Sequence, residues 1–283
     1  MNSPENQSAR FAEWNIKSGG FETYTQNPEA KPEYLPLIQE GLAALAPDFI
    51  SLIDTFRWNE LYSSADLTQL FGYAYAENIP LEDNRLQKFG HDNGVAVLTN
   101  LPIVDSEVIR MYNRNALLTT IRLNEQPVDV VTLYLDDVSE ETRMFQIRAL
   151  MSHLRTSRPT ILMGDLNTMN TKELQKSRSL IKAILTKHKE VTRLFWPKLL
   201  SLQEGTVIPL LRVHGFTDAA TESVPNIPTT LLGKGIKNPV LRLDYIFYTH
   251  GINCSPTEVV FRDVFQRSSD HYPIVCTVTT NES

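Results

Sequence analysis

Two stacked β-sheets covered by helices, in one domain of mixed α and β class, is the architecture this sequence predicts. Short strand-like runs recur from end to end, and amphipathic helical segments lie between some of them. No internal repeat, low-complexity tract or composition break marks a linker across the 283 residues. The domain is expected over residues 10–280, behind a polar tail at 1–9.

The strand-like runs are residues 10–16, 48–53, 94–99, 117–123, 128–135, 160–163, 241–248 and 274–279. Each is rich in β-branched, aromatic or other apolar residues, and Pro and Gly punctuate the gaps. Leu35, Ile38, Leu42 and Leu45 fall on one helical face, and Pro47 stops that helix. A second helix is expected over 139–156, where Ser139 is a capping residue and Glu140 and Glu141 suit the positive N-terminal end. Met144, Ile147, Met151 and Leu154 form its apolar stripe.

Composition removes several classes. Hydrophobic residues make up 42% and charged residues 21%, ordinary for a globular chain. No run of about 18 apolar residues exists to span a bilayer, and the first ten residues lack a signal-peptide core. Cys254 and Cys276 make neither a disulfide framework nor a metal-ligand spacing, so a reduced, cytoplasmic setting is expected; a monomer is expected as well. Net charge is −6, which gives no global attraction to nucleic acid. One stretch differs: residues 170–200 hold eight basic residues and two acids, a net +6 that leaves −12 on the rest. A basic helical insertion at about 170–213 is expected there, either a solvated face or an anion-facing wall. Phe195, Trp196, Leu199 and Leu200 could pack it down or contact a partner.

Polar residues at strand ends carry the chemistry. Four residues suited to a buried strand lead into Gly164-Asp165-Leu166-Asn167, and side chains two apart on an extended chain face the same way. A carboxylate at Asp165 can take a proton from water, while the neutral amide of Asn167 orients that water or binds a phosphate oxygen. Gly164 admits a second backbone or a ligand at close range. Taken alone, the tetrad is also a common turn. Asp244 stands inside the apolar run 243–247 and needs a partner, since an unpaired buried carboxylate is costly. Arg242, a loop amide or His271 would serve. A His271 so paired would have its tautomer fixed and would present its other N–H to a phosphate oxygen. Asn15 and Asp54 end two further strands with oxygen donors suited to Mg2+ or Mn2+.

Eight elements stand together in one order: Trp14-Asn15-Ile16; Asp54; the run from Asn93-Gly94 to Leu101-Pro102-Ile103; Thr132-Leu133-Tyr134 followed by Arg143 and Gln146; Gly164-Asp165-Leu166-Asn167; Gly215-Phe216-Thr217-Asp218; Arg242-Leu243-Asp244-Tyr245; and Ser269-Asp270-His271-Tyr272-Pro273. In these the chain resembles the endonuclease/exonuclease/phosphatase family, the deoxyribonuclease-I-like fold. The resemblance implies a four-layer αββα sandwich, two packed mixed β-sheets flanked by helices, and a metal-dependent phosphoester hydrolase. It implies Asp54, Asn15 and Asp270 as the metal side, holding Mg2+ or Mn2+, and Asp165 as the base that activates water. Asn167 would orient phosphate, Asp244 and His271 would be the buried acid–imidazole pair, and Tyr134 a phosphate-side donor. Asn15, Asn93, Asn167 and His271 would contact substrate. Nucleic acid, a phospholipid head group and a small phosphodiester are all admissible substrates.

The sequence departs from the family pattern at three places. Ile53-Asp54 stands where the family usually has Gln-Glu, so the acid is one methylene shorter. This substitution also motivates a rival reading, a catalytically weakened binding or scaffold protein. Asp136-Asp137 replaces the Pro-Asn step of apurinic endonucleases, putting two acids where a DNA phosphate would be repelled. The Trp-x-Asp-Arg signature of inositol polyphosphate 5-phosphatases is missing at residues 241–245.

Overall fold

The computed structural model describes residues 8–83, 87, 90–187, 205–220, 228–231 and 238–281. Its central strands alternate between two covered faces, so nearly every residue in them is buried, as expected when a sheet is packed on both sides. In β1 (Ala9–Asn15), Phe11 faces one layer while Ala12 and Trp14 face another. β2 (Phe49–Ile53) repeats this with Phe49 and Ile53 on one side and Ile50 and Leu52 on the other.

One sheet contains β1, β2, β3 (Tyr75–Pro80), β4 (Gly94–Thr99), β11 (Ile252–Cys254), β12 (Glu258–Val259) and β13 (Ile274–Thr280). Its path is β11-β13-β1-β2-β4-β3, with β12 beside β13. The second contains β5 (Ile103–Met111), β6 (Arg114–Leu123), β7 (Gln126–Tyr134), β8 (Thr160–Asp165), β9 (Thr217–Asp218) and β10 (Asp244–Tyr248), ordered β5-β6-β7-β8-β10-β9. Each sheet carries one parallel pair, β1 with β2 and β7 with β8, among antiparallel neighbours.

Three apolar clusters separate four layers. Between the sheets lie Phe11, Phe49, Val97, Leu117, Val130, Met163 and Ile246. Outside the first sheet, Trp14, Ile50 and Leu52 pack on α1 (Leu35–Leu45) and on Phe265 of α7 (Asp263–Ser268). Outside the second, Leu133, Leu162 and Phe247 meet Ile147 and Leu150 of α4 (Glu140–Met151) and Ile208 and Leu211 of α6 (Val207–Val213). The result is the expected αββα sandwich. Two short helices, α2 (Trp58–Leu61) and α3 (Ser64–Phe71), follow β2, and α5 (Thr171–Lys187) follows β8.

Some expectations shift. The expected strand over 241–248 begins only at Asp244, because residues before it pair with a loop: Thr229 and Thr230 N–H groups both donate to Leu241 O. The helix expected over 139–156 ends at Met151; of its expected stripe Ile147 is buried and Met144, Met151 and Leu154 are partly buried against the same cluster, while the fully buried face also takes in Glu140, Arg143, Gln146 and Leu150. Arg143 and Gln146 are buried because they serve the preceding loop, donating to Asp136 O at 2.7 Å and accepting from Asp136 N at 2.8 Å respectively. Of the basic stretch, α5 is described to residue 187, and Phe195, Trp196, Leu199 and Leu200 lie outside the described residues.

Candidate active site

Strand direction gathers the polar residues at one edge of the sandwich. In the parallel β1–β2 pair Asn15 lies opposite Ile53, so Asn15 and Asp54 leave their strands side by side. In the parallel β7–β8 pair Tyr134 lies opposite Asp165, and antiparallel β10 enters there with Asp244 opposite Asp165. β13 runs antiparallel to β1 with Ile274 opposite Glu13, which puts the preceding Asp270 and His271 at the same edge. Trp14 Nε1 donates to His271 O at 3.2 Å and Ser269 Oγ donates to Asn15 O at 2.7 Å, tying that turn to β1. Residues 54 and 271, far apart in sequence, therefore share one face.

Asp165 is fully buried and held on both oxygens. The Asn167 N–H donates to Oδ1 at 2.8 Å, and Asn15 Nδ2 donates to Oδ2 at 3.1 Å. Gly164 makes this placement possible: a Cβ there would lie 1.9 Å from Leu133 O on the adjacent strand. Asn167 takes a left-handed backbone (φ 48°), which Asn tolerates better than most residues. Its Nδ2 donates to Leu135 O at 3.0 Å. Its buried Oδ1 has no hydrogen-bond partner among the described residues.

Asp244 finds the partner that its burial demands. His271 Nδ1 lies 3.0 and 2.9 Å from the two Asp244 oxygens, and the Thr229 and Thr230 hydroxyls also donate to Oδ2. Arg242 goes elsewhere, pairing with Asp218 at 2.6 Å and Glu173 at 3.1 Å while stacking over Tyr245. With Nδ1 directed at Asp244, Nε2 is left 4.0 Å from Asp165 Oδ2. Burial pulls the His271 pKa down, but the charge and hydrogen bond of Asp244, then Asp165 and Asp270, outweigh it and push it up to about 9. Asp165, Asp244 and His271 offer ligand atoms all within 4.8 Å of one another, close enough to hold a cation as a group.

On the opposite side sits Asp54, also left-handed (φ 64°) and buried. Tyr24 Oη donates across both of its oxygens (3.0 and 2.9 Å), and Asn93 Nδ2 donates to Oδ1 at 2.6 Å. Burial raises its pKa; hydrogen bonds from the Ser18 backbone, Tyr24 and Asn93 oppose that, and the Asp270 charge adds to the rise. Two carboxylates thus load one field, and the amide oxygen of Asn15, which accepts from Lys17 N at 3.0 Å, keeps a second lone pair. Hard oxygen donors beside paired negative charge are of the kind that suits a divalent cation. Lys17 Nζ lies 3.6 Å from Asp270.

The remaining expected residues fall near this edge in different roles. Tyr134 is buried; burial, followed by the charges of Asp54, Tyr24, Asp165 and Asp137, pushes its hydroxyl pKa well up, which keeps it a donor. The Arg114 guanidinium lies 4.8 Å over its ring. Asn93, expected to touch substrate, is fully buried and holds Asp54 instead, with Oδ1 accepting from Gly94 N. Asp136 is buried and accepts from Val138 N and Ser139 N, and Asp137 pairs with Arg114 at 3.1 Å. Both acids are thus engaged within the fold, which weakens the expected repulsion of a DNA phosphate.

Sequence reading missed four side chains. Tyr24, Thr229 and Thr230 lie in loops, where no periodicity singles them out. Glu13 did carry a signal, the same one that marked Asp244: an acid inside an apolar strand. It is fully buried, and neither carboxyl oxygen has a hydrogen-bond partner among the described residues. Burial, then the charges of Asp244 and Asp165, push its pKa well above the usual carboxylate range.

Residues 12–271 match the family model described as endonuclease/exonuclease/phosphatase family. Comparison with curated proteins gives no match. Among solved structures, an endonuclease/exonuclease/phosphatase from Beutenbergia cavernae is similar at 19% identity and TM-score 0.68, over 97% of this chain and 72% of that one. The human Nocturnin catalytic domain is similar at 20% identity and TM-score 0.62, over 97% and 94%. A Bacteroides thetaiotaomicron mannosyl-6-phosphatase is similar at 12% identity and TM-score 0.59, over 96% and 99%. At these identities the likeness concerns the fold. No described helix is long and apolar enough to cross a membrane.

Proposed function

Because the chain belongs to the endonuclease/exonuclease/phosphatase family, we propose that it is a divalent-metal-dependent phosphoester hydrolase, acting on a phosphodiester. The observation that carries this reading is the pairing of a doubly anchored carboxylate, Asp165, with an imidazole whose far nitrogen is fixed by Asp244. Asp54, Asp270 and Asn15 would hold Mg2+ or Mn2+, and a bound ion would polarise a phosphoryl oxygen and steady the leaving group. Asp165 accepts the proton of the attacking water; its two hydrogen bonds keep the carboxylate aimed. Asn167, tied to Asp165 through its own N–H, orients water and phosphate. His271 carries its proton on Nε2 toward the phosphoryl oxygen that gains charge, and Tyr134 donates from its neutral hydroxyl.

Bis-p-nitrophenyl phosphate tests the reading. Nitrophenol release in Mg2+ or Mn2+ that stops with EDTA and returns with the ion is expected. No release in either ion, or release indifferent to the chelator, contradicts it. A parallel screen of single-stranded DNA, duplex DNA, RNA, sphingomyelin and inositol phosphates assigns the substrate class.

A further inference from the structure

We infer that Tyr24 is a positioning residue for the metal side, its hydroxyl holding the short Asp54 carboxylate in the orientation that a ligand needs. This rests on the reading of Asp54 as the metal-side acid. Tyr24 Oη donates across both Asp54 oxygens, and Asn93 Nδ2 donates to Oδ1.

The tyrosine is itself built into place. Its ring meets Phe56 edge-on at 5.0 Å, and Phe56 meets Phe21 in the same way at 5.8 Å. The loop carrying it is pinned by Arg57, a buried residue whose Nη1 and Nη2 donate to Asn27 O and Pro28 O at 2.9 and 3.0 Å. Arg57 also lies 5.5 Å over the Phe21 ring. Arg57 belongs to the turn just beyond Asp54, so the acid and its clamp are fixed by one segment. A flexible surface tyrosine would lose its hydrogen bond to entropy; one braced against Phe56 on a tied loop keeps its donor in position. The hydroxyl thereby does for Asp54 what a partner beyond the ligand shell does for any metal ligand: it sets orientation.

Calorimetric titration with Mn2+ alone tests this on wild type, Tyr24→Phe, Asp54→Ala and the double variant, with thermal midpoints measured alongside. Tyr24→Phe, which deletes one oxygen and keeps the ring, is expected to weaken Mn2+ binding about tenfold or more. In the Asp54→Ala background the same change should add nothing, a non-additivity that a general loosening of the loop would not produce. Wild-type Mn2+ affinity in Tyr24→Phe, while Asp54→Ala loses binding, overturns the role of Tyr24 and leaves Asp54 as ligand. An equal loss from Tyr24→Phe in both backgrounds overturns it too. Wild-type affinity in Asp54→Ala overturns the metal-side reading itself, and the inference with it.

Discussion

The two oxygens of Asp244 lie 3.0 and 2.9 Å from Nδ1 of His271, and both side chains are buried, so the Nδ1 proton is directed at the carboxylate. The imidazole pKa of about 9, against an ordinary value near 6.5, gives the pair a pH signature. A raised histidine binds its proton more tightly in the folded state. Its stabilisation is complete below about pH 6.5 and is lost as pH rises through about 9. If the imidazolium is the catalytic form, kcat/KM should fall above that same pH. Asp244→Asn should move the alkaline limb about one to two units toward acid and lower the plateau about tenfold or more. An unmoved limb in a pH–rate profile would remove Asp244 as the source of the shift.

Glu13 has the opposite sign. Its raised pKa means that the folded state favours the protonated carboxyl, so stability is greatest below the ordinary carboxylate range near pH 4 and declines as pH rises. Glu13→Gln keeps shape and neutrality and should stabilise the protein at neutral pH by about 1–3 kcal/mol. The gain should vanish near pH 4. Urea unfolding at both pH values reads it, and a loss of stability at neutral pH would show that the ionised acid is needed.

Gly164→Ala places a methyl group against the Leu133 carbonyl, which lies 1.9 Å from the ideal Cβ position. Two backbone strands must part to admit it. A loss of about 3 kcal/mol or more is expected in denaturant unfolding, with activity falling as Asp165 is displaced. A stable, active variant would mean the β7–β8 pair is looser than its register implies.

The basic face of α5 discriminates between substrate types. Arg178 and Lys182 are exposed there, in a chain whose net charge is −6. Charge reversal of both should weaken an anionic polymer and flatten the salt dependence of its KM, while leaving bis-p-nitrophenyl phosphate unaffected. An unchanged salt slope excludes the helix from polymer recognition.

What the sequence revealed tracks a simple physical contrast. Asp165, Asn167 and Asp244 stood out because each lies within or just beyond an apolar run, where a polar group must be justified, and His271 stood out as a partner for Asp244. The central strands were legible because both faces are covered and few polar residues dilute them. Edge and near-edge elements were not: β5 exposes most of its length and reads as a polar loop, and β3 contains Glu77 and Asn78 and ends at Pro80. Arg143 and Gln146 look like solvent residues on a helix and turn out to be buried, since their partners are loop backbone groups that no local pattern announces. Tyr24 reaches Asp54 across thirty residues, a contact made by the tertiary fold alone.

Asp165→Asn is the most direct trial of the whole account, because it removes the proton acceptor while keeping its size. With bis-p-nitrophenyl phosphate in saturating Mn2+ at neutral pH, we expect the turnover rate to fall about a hundredfold or more, with Mn2+ binding at Asp54 retained. A variant that turns over at the wild-type rate would contradict water activation by Asp165 and the site built around it.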